Sequence, residues 1–214
     1  LLQRTEGILD IFLVGGLGSA PIAAVGLGQL LVFAAMTVVA GLSVSATVLI
    51  AQLWGARRFA EAREAAAHAI GLAALASLLL MGLGLTLGRP AMLLLGAGPD
   101  VIPLAEPYVD LIFLVIPFTV LLQVLSAILH GTGDTRTPMY ALIGVNMFHV
   151  CIAYPLIYGR WGLPNMGIRG AAVAVGVAEC AGIIFLLVRC RSLCVRPAAI
   201  RRKLLRTFWE LGAP

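Results

Sequence analysis

The fold is decided by residues 11–56, whose sequence is IFLVGGLGSAPIAAVGLGQLLVFAAMTVVAGLSVSATVLIAQLWGA. This stretch contains no Asp, Glu, Lys or Arg, and an apolar helix needs only about 20 residues to cross the hydrocarbon core of a bilayer. The small-residue segment GGLGSAP at 15–21 divides it, so we interpret the stretch as the end of one membrane span followed by a complete second span. The second span is longer than one crossing requires, and we expect it to tilt or to protrude from the bilayer.

The rest of the chain repeats this pattern. Three further stretches carry no Asp, Glu, Lys or Arg and a fourth carries only one such residue; they are 69–88, 111–129, 137–159 and 170–188. Hydrophobic residues make up 61% of the 214 residues and charged residues 12%, and the mean hydropathy is +1.02. A soluble domain is typically about half apolar and about a quarter charged. The composition therefore excludes a soluble domain and indicates an integral membrane protein, with the lipid bilayer as its immediate partner.

The spans are predicted to be α-helices. Backbone in lipid must satisfy its own hydrogen bonds, which leaves helices or closed barrels, and barrel strands alternate in polarity over about 10 residues. The apolar runs here are continuous, so we predict an all-α, polytopic bundle of six transmembrane helices at about 1–18, 22–53, 66–88, 104–129, 137–159 and 168–189. We expect residues 1–190 to form one transmembrane lobe. Residues 191–214 would be a basic cytoplasmic linker that leads to a second lobe outside this chain.

Basic residues are distributed unequally between the two sides of the predicted bundle. The side with both chain ends carries eleven Lys or Arg residues and the other side carries three, with Arg4 of the first span left out; the three are Arg89, Arg160 and Arg169. The positive-inside rule then predicts a multi-pass protein of the cell (inner) membrane with both ends of this segment in the cytoplasm. The net charge of +5 therefore needs no nucleic acid as a partner. The tail at 198–212 fits both a helix on an anionic leaflet and a plain loop.

Three ionisable residues are predicted to lie at membrane depth, and they are Asp10, His149 and Glu179. A charge at the middle of a membrane costs about 2.5–3.5 kcal/mol on insertion scales, so such residues usually face a cavity or one another. Asn146 lies three residues before His149 and shares its helix face. Histidine titrates near physiological pH, and a desolvated carboxyl group takes up protons more readily. Asp10 with His149, or Glu179 with His149, is therefore a candidate site for reversible binding of a proton or cation.

Each of these residues also has a purely structural interpretation, as an interior polar side chain held by hydrogen bonds. The sequence contains no H-E-x-x-H, no G-x-S-x-G and no phosphate-loop motif, which are the local signatures of common catalytic and nucleotide sites. We therefore predict no enzymatic activity, no cofactor and no metal centre. The bound ion of the candidate site would be H⁺ or Na⁺.

The polar segment HGTGDTRTP at 130–138, called the hinge below, joins the fourth and fifth predicted spans. It contains two glycines, Asp134 and a proline that can open the fifth span at its first turn. We interpret the hinge as a tight capped turn, with a partner-locking role in a gate as the alternative. Three small-residue stretches inside the spans predict close helix packing; they are GLSVSA at 41–46, GLGLTLG at 82–88 and GAAVAVG at 170–176.

Four stretches together resemble the multidrug and toxic compound extrusion (MATE) family. They are DIFLVGGLGSAPIAAVGLG at 10–28, GLSVSATVLIAQLWGARR at 41–58, GTGDTRTPM at 131–139 and NMGIRGAAVAV at 165–175. They occur in the order and with the spacing of the family and cover nearly the whole chain. The ending RTFWELGAP looks like the start of the family's seventh span. The chain thus resembles the amino-terminal six-helix lobe of such a transporter.

The resemblance implies a secondary transporter of two pseudo-symmetric lobes that exports small organic, often cationic compounds in exchange for protons or sodium. Asp10 matches the acidic position of the family's first span, which is implicated in cation coupling. The fifth span departs from the family, because two positions that many relatives fill with Asn and Asp are His149 and Ala153 here, whereas Asn146 is kept. In the sixth span Val175 replaces a common Thr. Our hypothesis is that His149, with Glu179 as a possible helper, replaces the lost carboxylate.

Two other functions are considered. A lipid-linked precursor flippase of the same broad superfamily would need a cavity lined by basic residues, and only Arg4 lies inside a predicted span away from its ends. A non-transporting remnant or membrane-anchored partner would tolerate replacement of Asp10. One lobe supplies half of a central cavity, which a second lobe of the same parent chain or a second copy could complete. Because LGAP at 211–214 looks like the start of another span, we expect the second lobe.

Overall fold

A computed structural model describes residues 10–11, 13–162 and 164–193. Every long element in this part of the chain is an α-helix, and the five are α1 (Ser19–Gly55), α2 (Phe59–Leu94), α3 (Ile102–Gly131), α4 (Arg136–Tyr158) and α5 (Ile168–Leu193). Each is long and apolar enough to cross a membrane. The all-α, membrane-spanning class predicted from the hydropathy pattern is therefore confirmed for the described residues.

The first predicted span falls largely outside the described residues. Residues 10, 11, 13 and 14 are helical, and a 3₁₀ turn at Gly15–Leu17 follows them before α1 begins. The structure therefore shows five long helices and the end of a further helical segment, and the predicted count of six is not confirmed. The tail at 198–212 lies outside the described residues as well.

Helix α2 differs most from its predicted limits. The hydropathy pattern places a span at 66–88, whereas the helix runs from Phe59 to Leu94. Its extra first turns have the sequence FAEAREA, rich in Ala, Glu and Arg, which are strong helix formers. These residues continue the helix in a polar environment, so hydropathy identifies the apolar middle of α2 but misses both ends. The 37 residues of α1 span roughly 55 Å at 1.5 Å per residue, well beyond the hydrocarbon core.

Helix α3 lies at the centre of the bundle and packs against α1, α2 and α5, whereas α4 packs mainly on α5. Close approach depends on small residues, as predicted. A methyl group at Gly84 would overlap the ring of Phe113 on α3, and one at Gly170 would overlap the backbone of Leu156. The stretch at 41–46 fits the prediction only in part, because Gly41 faces open space. Helices that associate within a membrane use such small residues to bring their backbones close together.

The helices alternate in direction, which gives the bundle two distinct ends. The end that carries the connections 56–58 and 132–135 is called the hinge end, and the end that carries 95–101 and 159–167 is called the opposite end. At the hinge end, Gly131 lies against Ile50 of α1. The described arginines divide six to three, with Arg57, Arg58, Arg63, Arg136, Arg189 and Arg191 at the hinge end and Arg89, Arg160 and Arg169 at the other.

The hinge itself is a capped turn, as predicted. Gly133 adopts a left-handed backbone conformation with φ of 90°, which a residue without Cβ allows at no steric cost. The Asp134 carboxylate accepts hydrogen bonds from the Thr137 backbone N–H at 3.0 Å and from the Thr137 hydroxyl at 2.6 Å. These bonds satisfy groups at the start of α4. The hydroxyl bond, followed by the backbone bond, lowers the pKa of Asp134 from its ordinary value.

Candidate functional site

Asp10 and His149 meet inside the bundle. The Asp10 Oδ1 atom lies 3.2 Å from His149 Nε2, and the relative exposures of the two residues are 3% and 0%. The distance is that of an ion pair when the imidazole is protonated, although the groups lack the alignment of a hydrogen bond. The sequence left two pairings open, Asp10 with His149 and Glu179 with His149. The contact of 3.2 Å is the one between Asp10 and His149.

Tyr158 positions the segment that carries Asp10. Its hydroxyl donates a hydrogen bond of 2.8 Å to the backbone carbonyl of Leu13. The neighbouring Val14 is fully buried in the main hydrophobic cluster. Because Tyr158 lies on α4, the same helix holds both the end of this segment and the imidazole that faces Asp10. The sequence analysis missed this role of Tyr158, and a tyrosine at the end of an apolar span gives no specific signal for it.

Asn146 lies one turn before His149 on α4. Its Nδ2 donates a hydrogen bond of 2.8 Å to the Leu142 carbonyl, and its Oδ1 is buried without a hydrogen-bond donor among the described residues. A buried acceptor left unsatisfied costs about 1–3 kcal/mol, so this oxygen is suited to accept from a donor or to coordinate a cation. Ala153, one turn beyond His149, is fully buried by packing. Hydrophobic core therefore occupies this position on the helix face of Asn146 and His149.

Glu179 is the second buried carboxylate. It lies in the middle of α5 with 2% exposure, and its Oε2 accepts a hydrogen bond of 2.9 Å from the Thr119 hydroxyl of α3. Sequence reasoning missed Thr119. A signal was present, because Thr119, Gln123, Ser126 and His130 are spaced by four, three and four residues. This spacing places all four polar side chains on one face of an otherwise apolar helix, and we call this face the α3 polar stripe.

The α3 polar stripe opens into a cavity of about 470 Å³ between α1, α3 and α4, called the hinge-end cavity. Its lining combines polar and apolar side chains and is formed by Ser43, Val44, Thr47, Val48, Gln123, Ser126, Ala127, His130, Thr135, Met139 and Leu142. A second cavity of about 590 Å³ lies at the opposite end, beside Asn165 and Arg169. Among the described residues, no group of three or more His, Cys, Asp or Glu side chains could hold a metal ion.

The sequence and the fold were compared with known proteins. The family model MatE matches residues 1–155. The chain is 28% identical to the probable multidrug resistance protein YoeA of Bacillus subtilis over 193 residues, which are 90% of this chain and 42% of YoeA. It is 29% identical to the probable multidrug resistance protein NorM of Thermotoga maritima over 182 residues, 85% of this chain and 39% of that protein. The chain thus spans about two fifths of the length of these relatives.

The fold comparison agrees. A crystal structure of a MATE protein in the bent conformation matches with a TM-score of 0.80 and 26% sequence identity, covering 86% of this chain and 40% of that one. An inward-facing MATE transporter of the MOP superfamily matches with a TM-score of 0.81 at 24% identity, which at this identity shows the fold alone. Since the family match covers most of the chain and the helical architecture is shared, this chain belongs to the multidrug and toxic compound extrusion (MATE) family of membrane transporters.

Proposed function

We propose that this chain is the amino-terminal lobe of a secondary transporter that exports small organic, often cationic compounds by antiport with H⁺ or Na⁺. The family membership supports export, and the buried contact between Asp10 and His149 is the observation that carries the coupling. A charge inside a membrane bundle is costly and usually marks an ion or substrate pathway.

The charge states of the pair explain how it can hold one cation. With Asp10 ionised and His149 neutral, the pair carries one buried negative charge, which is unfavourable in a medium of low dielectric. Binding one proton, on either residue, makes the pair neutral, and so does one Na⁺ beside the carboxylate. A closed lobe therefore favours the state with one bound cation. A lobe opened to water stabilises the free carboxylate and releases that cation, which couples ion movement to the change of conformation.

The remaining parts of the proposal concern assembly and orientation. We infer a sixth transmembrane helix at about 1–18, of which residues 10, 11, 13 and 14 are described as helical, and a second six-helix lobe reached through the basic linker at 191–214. This chain covers only about 40% of the matched MATE chain, which supports a second lobe in the parent protein. The arginine excess at the hinge end supports a cytoplasmic hinge end in the cell (inner) membrane. The protein would use no cofactor beyond its coupling ion.

A lipid-linked precursor flippase receives no comparable support. Its pyrophosphate substrate would call for several converging basic side chains. The described cavities offer only Arg169 at the opposite end and His130 at the hinge end. A cluster of basic side chains would repel a cationic substrate. The small number of basic groups in these described cavities is therefore compatible with such a substrate.

The test is efflux of a fluorescent organic cation from vesicles that contain the full-length protein. A proton gradient and a sodium gradient are imposed separately. We expect one of them to drive efflux and Asp10→Asn to abolish it, while Asp100→Asn, in an exposed loop position, leaves it unchanged. Normal efflux by an inserted Asp10→Asn protein, or no efflux with either gradient, would overturn the proposal.

A further inference from the structure

Glu179 has no part in the coupling step proposed above, yet it is buried as deeply as Asp10. Its carboxylate accepts a hydrogen bond from Thr119, which places it at the inner end of the α3 polar stripe. A carboxylate at this depth usually faces a cavity or an ion pathway. The question is therefore which aqueous space leads to it.

The hinge-end cavity supplies such a space. Gln123, Ser126 and His130 of the α3 polar stripe all line it. Thr119 lies one helical turn deeper than Gln123 on the same face, and Thr119 contacts Glu179 directly. The polar side chains of the stripe are thus spaced by one helical turn from the cavity to the residue that contacts the buried carboxylate. Helix α4 packs only lightly against α3, which leaves space between the two helices.

Beside its apolar side chains, the lining offers oxygen atoms that can bind water and small cations. The Ser126 hydroxyl donates to the Leu122 carbonyl at 2.8 Å, and the Thr47 hydroxyl lies within donating distance of the Ser43 and Ala127 carbonyls. A hydroxyl that donates to backbone keeps its oxygen lone pairs as acceptors, and oxygen ligands are what hard cations prefer. Among the described residues that line this cavity there is no Lys, Arg, Asp or Glu, and His130 at its mouth is the one titratable side chain.

We propose that the hinge-end cavity is a hydrated chamber through which a small cation, a proton or sodium, reaches Glu179 along Gln123 and Thr119 of the α3 polar stripe. Glu179 is then a second cation-binding position, separate from the Asp10–His149 pair. This inference rests on the proposed function for its purpose, since a second ion position has a use only in a coupled transporter. Its geometry can be tested without any transport.

The test measures the water accessibility of single cysteines in the full-length protein, in membranes, after the native cysteines have been replaced by alanine. Ser126→Cys and Gln123→Cys sample the chamber, and Thr119→Cys samples its inner end. Phe118→Cys is the matched control, because Phe118 neighbours Thr119 but is 41% exposed on the apolar outer surface. The reagents are the water-soluble cationic thiol reagent MTSET and, for the deeper position, Ag⁺. Each is applied to either side of the membrane, and reaction is read as lost labelling by a fluorescent maleimide after denaturation.

We expect Ser126→Cys and Gln123→Cys to react with MTSET from the hinge-end side at least about tenfold faster than Phe118→Cys, because the reactive thiolate forms in water and not in hydrocarbon. Thr119→Cys should react with Ag⁺ from that side. If sodium is the ion, Na⁺ at about 100 mM should slow this reaction roughly in proportion to the fraction of Glu179 sites that it occupies. Equal, slow reaction at all four positions would overturn the chamber, and it would show that the rest of the protein covers this cavity.

The two proposals can fail separately. If the stripe cysteines are unreactive but Asp10→Asn abolishes efflux, the chamber is wrong and the antiport proposal stands. If the stripe is accessible but neither gradient drives efflux, the chamber stands and the antiport proposal fails. Thr119→Ser and Thr119→Val add a second readout. Serine keeps the hydroxyl and should retain the cation concentration needed for half-maximal efflux, whereas valine should raise it severalfold.

Discussion

The two buried carboxylates among the described residues are held in different ways. Asp10 faces the imidazole of His149, a group that can itself take up a proton, at 3.2 Å. Glu179 accepts a hydrogen bond from the hydroxyl of Thr119, which stays neutral. The first contact can change its charge state by moving protons within the pair, whereas the second stabilises a charge without sharing it. The comparison teaches that two equally buried carboxylates can differ in the chemistry of the side chain they contact, so substitution of those side chains should have different effects.

The largest expected effect follows loss of the imidazole. His149→Ala leaves the Asp10 carboxylate buried beside a void, and breaking one side of a buried pair costs about 3–5 kcal/mol. We expect a marked fall in thermal stability in detergent and loss of efflux between pH 6 and pH 8. If His149→Ala transports like the unaltered protein over that pH range, His149 has no part in coupling.

A double variant separates charge from packing in the same pair. Asp10→Asn added to His149→Ala removes the unpaired charge, so it should recover a large part of the lost stability but none of the efflux. The measurement is a double-mutant cycle on unfolding free energy in detergent. Strictly additive losses would show that the two residues do not interact, despite their distance in the structure.

The Glu179 contact should give a smaller loss. Thr119→Val removes one hydrogen bond to a carboxylate, a bond that contributes about 1.5–3 kcal/mol when one partner is charged. Thr119→Ser retains the donor and should stay within about 1 kcal/mol of the unaltered protein, since it removes a single methyl group. Equal destabilisation by valine and serine would mean that Thr119 acts through its methyl group and not through its hydroxyl.

Asn146 lies one helical turn before His149 on α4. A substitution at Asn146 tests whether this polar side chain contributes more to transport than to stability. Asn146→Leu removes one hydrogen bond to the Leu142 carbonyl but also a buried, unsatisfied oxygen. These terms oppose each other, so we expect a stability change within about 1 kcal/mol. Efflux should nevertheless fall severalfold. Large destabilisation with unaltered efflux per folded molecule would assign Asn146 a structural role.

The smallest effect is expected at the hinge, where a carboxylate outside the membrane provides a reference. The Thr137 hydroxyl lowers the pKa of Asp134 below its ordinary value of 3.8. A lowered pKa in the folded state contributes stability above pH 3.8, and this contribution is lost as the pH falls through the lower folded value. Asp134→Asn removes the negative charge and should therefore lower stability slightly at neutral pH, by about 0.3–1 kcal/mol as for a charge near a helix N-terminus. The difference from the unaltered protein should vanish in acid, and a difference that grows in acid would contradict the capping role.

Much of the fold could be predicted because membrane helices are encoded locally. A run such as 111–129 specifies its own helix, since each backbone group must be satisfied within the segment once it lies in lipid. The family could be recognised for a related reason, because its short stretches recur in order along the chain. The limits of α2 were missed where hydropathy stops being the signal and helix propensity continues the element, as at Phe59.

The candidate site was predicted only in part. His149 and Asn146 could be placed on one face because three-residue spacing is fixed within a helix, and the direct contact with Asp10 was one of two pairings left open. The partner of Glu179 could not be read in the same way, since Thr119 is 60 residues away along the chain. Its polar neighbours at 123, 126 and 130 gave a periodic signal that was visible in the sequence but was not used.

The sequence by itself determined that this protein is a bundle of membrane helices of the MATE family and that carboxylates lie within it. Only the tertiary structure decided that Asp10 meets His149, that Thr119 contacts Glu179, and that a cavity opens beside the α3 polar stripe. The physical reason is one of range. Hydropathy and helical spacing act over a few turns of one segment, whereas these contacts depend on how separate helices rotate and pack against one another through small residues such as Gly84.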